Sequence, residues 1–237
     1  MSDSIVIIPT YNEIENIENM VRKVFSLEKE FHLLIIDDNS PDGTATRVQE
    51  LQKEFPTKLH LEKRAGKQGL GTAYIHGFKW ALKRDYAYIF EMDCDFSHNP
   101  DDLIRLYDAC HNNNAGLSIG SRYTKGGKVS NWPWDRVLMS YFASIYVRMI
   151  LWIGIKDTTA GFKCYAKEAL ESINFEAVTF KGYAFQICMK YAVKRHKFKI
   201  IEVPITFVDR QLGESKMSSG IFKEAFFGVW KMRGLKL

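Results

Sequence analysis

Short apolar runs recur down the chain with little alternation inside them: SIVIIPT (4–10), HLLIIDD (32–38), KLHLEK (58–63), YAYIFEMD (86–93) and AGLSIGS (115–121). A strand that is apolar on both faces is covered on both faces, which is the habit of strands inside a parallel α/β sheet. Between the runs, residues 13–29, 42–55, 70–84 and 101–112 space their apolar positions by three and four, as helices do. Strand and helix in alternation predict right-handed crossovers and a mostly parallel, Rossmann-like central sheet flanked by helices. After residue 123 the pattern changes to aromatic-rich helices and one further strand, FKIIEVPITFVDR (198–210).

Two of the later helices are amphipathic in an unusual way. In DRVLMSYFASIYVRMILWIGI (135–155), Arg136, Ser140, Ser144 and Arg148 recur every four residues, a slowly drifting polar stripe on an otherwise apolar helix. As a membrane span it is poor, since Arg148 near a bilayer centre costs roughly 2.5–3.5 kcal/mol. The pattern instead predicts a helix packed on the domain or lying in the headgroup layer, with Arg136 and Ser140 offered to a phosphate; an ordinary core helix is the competing reading. In SSGIFKEAFFGVWKMRGLKL (218–237), Ile221, Phe222, Ala225, Phe226, Val229 and Trp230 make one face, flanked by Lys223, Lys231, Arg233 and Lys236. Such a helix packs on its domain or lies on an anionic membrane.

The 237 residues show no repeat, low-complexity tract or linker, so the expected organisation is one domain over 1–237. Within it, 1–123 reads as the ligand-binding half, 124–217 as a second half and 218–237 as the amphipathic C-terminal helix. The four cysteines are scattered without a C-x-x-C pair, which argues against a zinc cluster or disulfide framework and for a reducing, cytosolic setting. The start carries neither a basic segment nor a long apolar one, so no signal peptide is expected. The net charge of +5 suits an anionic ligand or membrane surface, and no nucleic-acid motif accompanies it.

In open α/β sheets, ligands collect at the carboxyl ends of the strands. Four polar groups fall there: Thr10-Tyr11-Asn12-Glu13, Asp37-Asp38-Asn39-Ser40, Asp93-Cys94-Asp95 and Ser121-Arg122-Tyr123. Asp93 and Asp95 stand two positions apart where the chain leaves the pleat, so both can converge on one hard cation. Oxygen-only ligation suits Mg²⁺ or Mn²⁺, completed by substrate phosphates. Their alternative use, capping the next helix, is already supplied by Asn99 as N-cap and Pro100 after it. Asp42 can cap the helix after the second strand, leaving Asp38 in the cleft for a base N–H or ribose hydroxyl. Tyr11 offers a ring for stacking on a base, and Glu13 a carboxylate for a sugar hydroxyl. The glycine-rich AGKQGLGTAYIHG (65–77) lacks the G-x-x-x-x-G-K-[ST] pattern, so it predicts a tight helix start rather than an ATP loop. His76 and His98 lack a spaced partner and read as structural.

Taken together, IIPTYNEIENI, LLIIDDNSPDGT, GLGTAYIHGF, EMDCDFSHNP, IGSRY, FKGYAFQ and EVPITFVDRQLGESKM resemble the inverting nucleotide-sugar glycosyltransferases of family 2, which have the GT-A fold. More narrowly they resemble the dolichol-phosphate mannose synthases, over nearly the whole chain and in consistent order. The resemblance implies that Pro9, Tyr11, Glu13, Ile36 and Asp38 cradle the nucleoside. It implies that Asp93 and Asp95 meet metal and diphosphate, with the backbone of Cys94 alongside. Ser97 stands where some relatives carry a glutamine as third metal ligand. Arg210 and Lys216, around Gly213, would close over the diphosphate as a lid. The acceptor phosphate would lie against Arg122, Arg136 and Ser140.

The reaction so implied transfers mannose from GDP-mannose to a dolichyl or other polyprenyl phosphate with inversion. A phosphate monoester has its second pKa near 6, so at neutral pH it is largely a dianion and already a nucleophile. The expected catalytic set is therefore Asp93, Asp95, Arg122 and Arg136, with no dedicated base. Two rivals stand beside this reading: a UDP-glucose-dependent polyprenyl-phosphate glucosyltransferase and a non-catalytic nucleotide-sugar-binding subunit. The acidic pair, Arg136 and the lid together favour an enzyme over a scaffold. Some relatives continue into transmembrane hairpins where this chain stops. The expectation is thus peripheral contact on the cytosolic face of a membrane, with an anchoring partner subunit as one route to stable residence.

Overall fold

All five apolar runs become strands: β1 (Ser4–Thr10), β2 (His32–Asp37), β3 (Leu59–Lys63), β4 (Tyr88–Glu91) and β5 (Leu117–Ser121). The four helical stretches between them become α1 (Ile14–Phe25), α2 (Thr44–Glu54), α3 (Leu70–Leu82) and α4 (Asp102–His111). The computed structural model describes residues 2–210 and 219–237. Its later elements are β6 (Lys128–Ser130), α5 (Trp134–Leu151), β7 (Lys163–Ala166), α6 (Lys167–Glu171), α7 (Tyr183–Arg195), β8 (Ile200–Pro204), β9 (Thr206–Val208) and α8 (Ser219–Met232).

The main sheet runs in the order β3-β2-β1-β4-β7-β5-β8. Its ladders are parallel except where β7 lies antiparallel to both β4 and β5. Alternate residues of β1 serve two cores: Ile5 and Ile7 pack with Tyr74, Phe78 and Phe185 on one face, Val6 and Ile8 with Met20, Val24 and Leu33 on the other. That is why the strands read as unbroken apolar runs. Helix α3 sits especially close, for a Cβ on Gly77 would lie 2.7 Å from Cγ2 of Ile7.

Two expectations need correction. The single strand expected over 198–210 is two. Pro204 ends β8 with no N–H to continue the ladder. Ile205 then donates its N–H to the Ser121 carbonyl (3.1 Å) while accepting from Lys128 N (2.9 Å), passing the chain to the small β6–β9 sheet. Second, β7 (KCYA) escapes the pattern because it is four residues long and begins with a lysine. Lys163 is nonetheless fully buried, 2.9 Å from the equally buried Glu91 and hydrogen-bonded to Gln186. Asn99 does cap α4 as expected: its Oδ1 accepts from Asp101 N (3.1 Å) and its carbonyl from Asp102 N (3.0 Å), with Pro100 opening the first turn.

The expected face of α8 is divided. Val229 is buried together with Met232, and Gly228 abuts Phe180, while Phe226 and Trp230 stay exposed with Phe227. Ile221, Phe222 and Ala225 lie outside the residues whose side chains are described. Among the described residues, no helix is long and apolar enough to cross a membrane.

Candidate active site

The carboxyl ends of β1 and β2 are tied by Asp37, whose Oδ1 accepts from Thr10 Oγ1 (2.9 Å) and Ser40 Oγ (2.6 Å). Asp42 does more than the sequence suggested. Its Oδ1 accepts from Thr44 N (3.0 Å) at the start of α2, and its Oδ2 accepts from Ile14 N (3.0 Å) at the start of α1. One carboxylate thus caps two helices, and these bonds outweigh burial to hold it below the usual carboxylate range. With Asp37 and Asp42 so engaged, Asp38 faces the notch between them. It is 6% exposed, and Arg64 Nε stands 2.7 Å from its Oδ1. Burial pushes its carboxyl up, against the pull of Arg64.

Tyr11 is half-buried, with Lys67 Nζ 5.1 Å from its ring centre. Pro9, also half-buried, pairs with Ile36 across the sheet. Ile36 itself is fully buried in the core, so it can serve a ligand only through its backbone. Glu13 is 6% exposed and holds Asn16 Nδ2 (3.0 Å) and Arg210 Nη2 (3.1 Å).

The acidic pair stands on the loop after β4. Asp93 donates its N–H to His98 Nδ1 (3.3 Å), and Asp95 Oδ1 accepts from Ser97 N (3.0 Å). Phe96, between them, takes a left-handed backbone (φ 58°). The Asp93 side chain keeps 38% exposure toward the cleft. Its carboxyl is pushed up to about 7, by burial first and by the charge of Asp95 second. Asp95 goes the other way: burial opposes its charge, but Arg210 more than compensates, with Nε and Nη2 each 2.9 Å from Oδ2. The positive group that answers the doubled charge here is therefore a guanidinium shared between Asp95 and Glu13. Cys94 turns its thiol into the core, leaving its peptide between the two carboxylates. Ser97 is 3% exposed and serves the loop through its amide and its carbonyl, which accepts from Val208 N (3.3 Å). His98 is structural, as expected: burial lowers it to about 4, and it stacks on Phe162 at 4.9 Å.

Among the described residues, no group of three or more His, Cys, Asp or Glu side chains is placed to hold a metal ion. The pair still fits a divalent cation that takes its remaining ligands from substrate and water. Its donors are hard oxygens, and Asp93, whose carboxyl is pushed up by burial and by the charge of Asp95, is the group a cation would hold ionised.

Beyond the pair, a cavity of ≈ 520 Å³ opens between α5, α7 and α8. Its polar end carries Arg122, Arg136, Ser140, Thr159 and Tyr183, and the rest is apolar, out to Phe142, Phe226 and Phe227. The structure thus brings together the three residues expected around the acceptor phosphate. Arg122 is largely committed: Asp157 takes its Nε (2.7 Å), its Nη2 (2.6 Å) and its backbone N–H (2.9 Å), and Thr159 Oγ1 takes Nη2 again (2.8 Å). Among the described residues nothing bonds Nη1. Arg136 lies 3.2 Å from Asp209 and stacks over Trp132 at 4.0 Å.

The polar stripe on α5 does not hold together. Four residues of α-helix advance 400°, so each step drifts about 40° and Arg148 stands about 120° around from Arg136. Ser144 accordingly points into the core, 3.3 Å from Thr158 Oγ1, and Arg148 points away from the cavity altogether.

The loop from Asp157 to Gly161 joins the two halves of the site. Lys190, fully buried on α7, donates to the carbonyls of Thr158 (3.0 Å) and Ala160 (2.6 Å) and so pins it. A Cβ on Gly161 would come within 3.9 Å of Asp93 Oδ2. Tyr183 feels the charges of Arg122, Arg136 and Asp93 together. Asp157, Thr159, Lys190 and Tyr183 were not singled out from the sequence. The signals available were an acid opening the loop DTTAG and the tyrosine inside FKGYAFQ. Lys216 lies outside the described residues.

A mostly parallel sheet with one antiparallel insertion, an acidic pair at its carboxyl edge and an adjoining acceptor-sized cavity is the architecture of a GT-A glycosyltransferase. The chain belongs to glycosyl transferase family 2, whose profile matches residues 5–173. It is 47% identical to the polyprenol monophosphomannose synthase of Mycolicibacterium smegmatis, over 98% of this chain and 88% of that one. It is 44% identical to the undecaprenyl-phosphate mannosyltransferase of Micrococcus luteus (95% and 91%) and 36% identical to the dolichol-phosphate mannosyltransferase of Pyrococcus furiosus (96% and 62%). The resemblance read from the motifs is borne out by these relatives.

Among solved structures, glucosyl-3-phosphoglycerate synthase from Mycobacterium tuberculosis, in complex with Mn²⁺, UDP and phosphoglyceric acid, superposes with a TM-score of 0.71. It is 14% identical over 99% of this chain and 80% of that one. A mannosyltransferase from Pyrobaculum calidifontis in complex with GDP-Man and Mn²⁺ gives 0.60, at 14% identity over 98% and 70%. At such identities the likeness is one of fold.

Proposed function

We propose that this protein transfers mannose from GDP-mannose to a polyprenyl phosphate, with inversion at the anomeric carbon. The relatives named for polyprenyl-phosphate mannose synthesis support the reaction. The observation that carries it is the cavity beside the acidic pair: apolar along its length, with guanidinium groups at its inner end, it suits a lipid tail capped by a phosphate.

Asp38 and Tyr11 hold the nucleoside, with the backbone at Pro9 and Ile36 beneath it. Asp93 and Asp95 would hold a divalent cation, Mg²⁺ or Mn²⁺, which when bound neutralises the donor diphosphate as a leaving group. Arg210, already against Asp95 and Glu13, adds positive charge on the same side, and the motif it shares with Lys216 assigns that lysine to the diphosphate as well. Arg136, Ser140 and the free edge of Arg122 hold the acceptor phosphate, and Asp157 keeps Arg122 aimed and ionised. Because the acceptor is a dianion near neutral pH, it attacks without a base. Asp157, the carboxylate beside Arg122, is spent on that arginine and is not free to act as one. Contact with the membrane is peripheral, on its cytosolic face, and an anchoring partner subunit supplies stable residence where the chain alone binds transiently.

Incubating the purified chain with polyprenyl phosphate, Mn²⁺ or Mg²⁺ and a panel of labelled nucleotide sugars tests this. GDP-mannose is expected to give the lipid-linked product. Preference for UDP-glucose would overturn the donor assignment, and nucleotide binding without transfer from any donor would make the chain a binding subunit.

A further inference from the structure

On the side of α5 turned away from the substrate cavity lies a second, more open groove of ≈ 620 Å³, lined by Tyr141, Ile145, Arg148, Met149, Trp152 and Ile153. Arg148 is the charge in it. Its Nε is buried without a hydrogen-bond partner, and among the described residues no carboxylate pairs with its guanidinium. An arginine among apolar walls with no anion of its own is a site short of a counter-charge.

The rim is equally unsatisfied from within. Trp152 is 85% exposed and ends α5 in the left-handed region (φ 54°), where glycine would sit free and a Cβ-bearing residue is strained. An indole held there buries almost nothing inside the protein, so its use lies outside. Along α5, Trp134, Leu138, Tyr141, Met149 and Trp152 are all exposed, spaced to fall on one side of the helix, with a tryptophan at each end. Phe142 lines the substrate cavity and its ring lies 6.1 Å from that of Tyr141, so the groove and the cavity flank the same helix, parted by these two rings.

From this geometry we infer that the Arg148 groove binds the phosphate of an anionic membrane phospholipid that is not a substrate, fixing α5 flat on the bilayer with Trp134 and Trp152 in the interfacial layer. Trp at the two ends of an exposed apolar helix suits the membrane–water interface. A second copy docking groove to groove would have to bury two guanidinium groups without a carboxylate, since none lines the groove. An anionic headgroup supplies that charge. The inference rests on the acceptor being a membrane-borne lipid phosphate, and it holds α5, one wall of the substrate cavity, against the bilayer that carries that lipid.

Co-sedimentation of the full chain with phosphatidylcholine vesicles, with and without phosphatidylglycerol, tests it. Arg148→Gln is expected to weaken partitioning onto phosphatidylglycerol-containing vesicles about fivefold, equivalent to the roughly 1 kcal/mol of one basic side chain near an anionic surface. Phosphatidylcholine binding should stay unchanged, and Arg148→Lys should keep most of the anionic preference. Trp152→Ala should weaken binding to both vesicles. Transfer to a short, soluble isoprenoid phosphate should survive Arg148→Gln; failure of the wild-type chain on that acceptor would sink the proposed function and not the groove. The inference is overturned if Arg148→Gln binds anionic vesicles like the wild type, or loses both vesicles equally. It is also overturned if light scattering shows a dimer that Trp152→Ala dissociates.

Discussion

Replacing Asp157 by asparagine tests the part of the site that no motif announced. Asp157 is fully buried and Arg122 is 8% exposed at its side chain, and three of the hydrogen bonds between them end on the two carboxylate oxygens. Asparagine keeps the shape but removes the charge and turns an N–H₂ toward a guanidinium. Removing one partner of a buried pair leaves an uncompensated ion and costs roughly 3–5 kcal/mol. For a chain of this size a midpoint falls by roughly 2–4 °C per kcal/mol, so Asp157→Asn should lower the melting temperature by about 6–20 °C. The acceptor KM should rise as well, because Arg122 loses the group that aims it. The double variant Arg122→Met/Asp157→Leu separates the two effects. It should regain most of the stability, since apolar replacement of a buried pair is often neutral or better, while acceptor binding stays poor. Thermal unfolding by circular dichroism and KM for a soluble isoprenoid phosphate read both. An asparagine variant melting within about 2 °C of wild type would refute the reasoning, because the pair would then not be sealed from water.

Arg136→Ala should raise the KM for polyprenyl phosphate about ten- to a hundredfold, the worth of a charge-assisted phosphate contact, with donor affinity unchanged in calorimetry. Its melting temperature should barely move, as Asp209 is 35% exposed and such a pair contributes little. Asp38→Ala should weaken GDP retention by a similar factor; unchanged affinity would place the nucleoside elsewhere. Asp95→Asn should abolish transfer and Mn²⁺ binding followed by electron paramagnetic resonance, without unfolding the protein. Because Asp93 is pushed up to about 7, a cation must displace its proton in acid. Apparent Mn²⁺ affinity should therefore fall about tenfold per pH unit below 7 and level off above it. In the cation-free protein the raised carboxyl contributes stability below the unfolded carboxylate range. That contribution is lost as pH rises through about 7, where added Mn²⁺ should raise the melting temperature.

The order of strands and helices through residue 121 was legible in the sequence because each element carries its own period, and the period survives without tertiary information. The edge residues were legible for the same reason: a strand's last polar residues must emerge at its carboxyl end, which placed Asp38, Asp93, Asp95 and Arg122 before any coordinates. Pairings between distant segments carry no such local mark. Asp157 meets Arg122 across 35 residues, and Lys163 finds Glu91 only because β7 inserts antiparallel between β4 and β5. The sequence could show that α5 bears four polar residues at regular spacing. Which of them share a ligand depends on the 40° drift per step and on what packs against each side of the helix. Tertiary structure therefore put Arg136 and Ser140 in the cavity between α5, α7 and α8, Ser144 in the core and Arg148 in the groove on the other side of the helix. It likewise divided the apolar face of α8, burying Val229 against the domain and leaving Phe226 and Trp230 outside. Hydrophobicity along a helix records which residues avoid water, while the neighbouring elements decide which of them succeed.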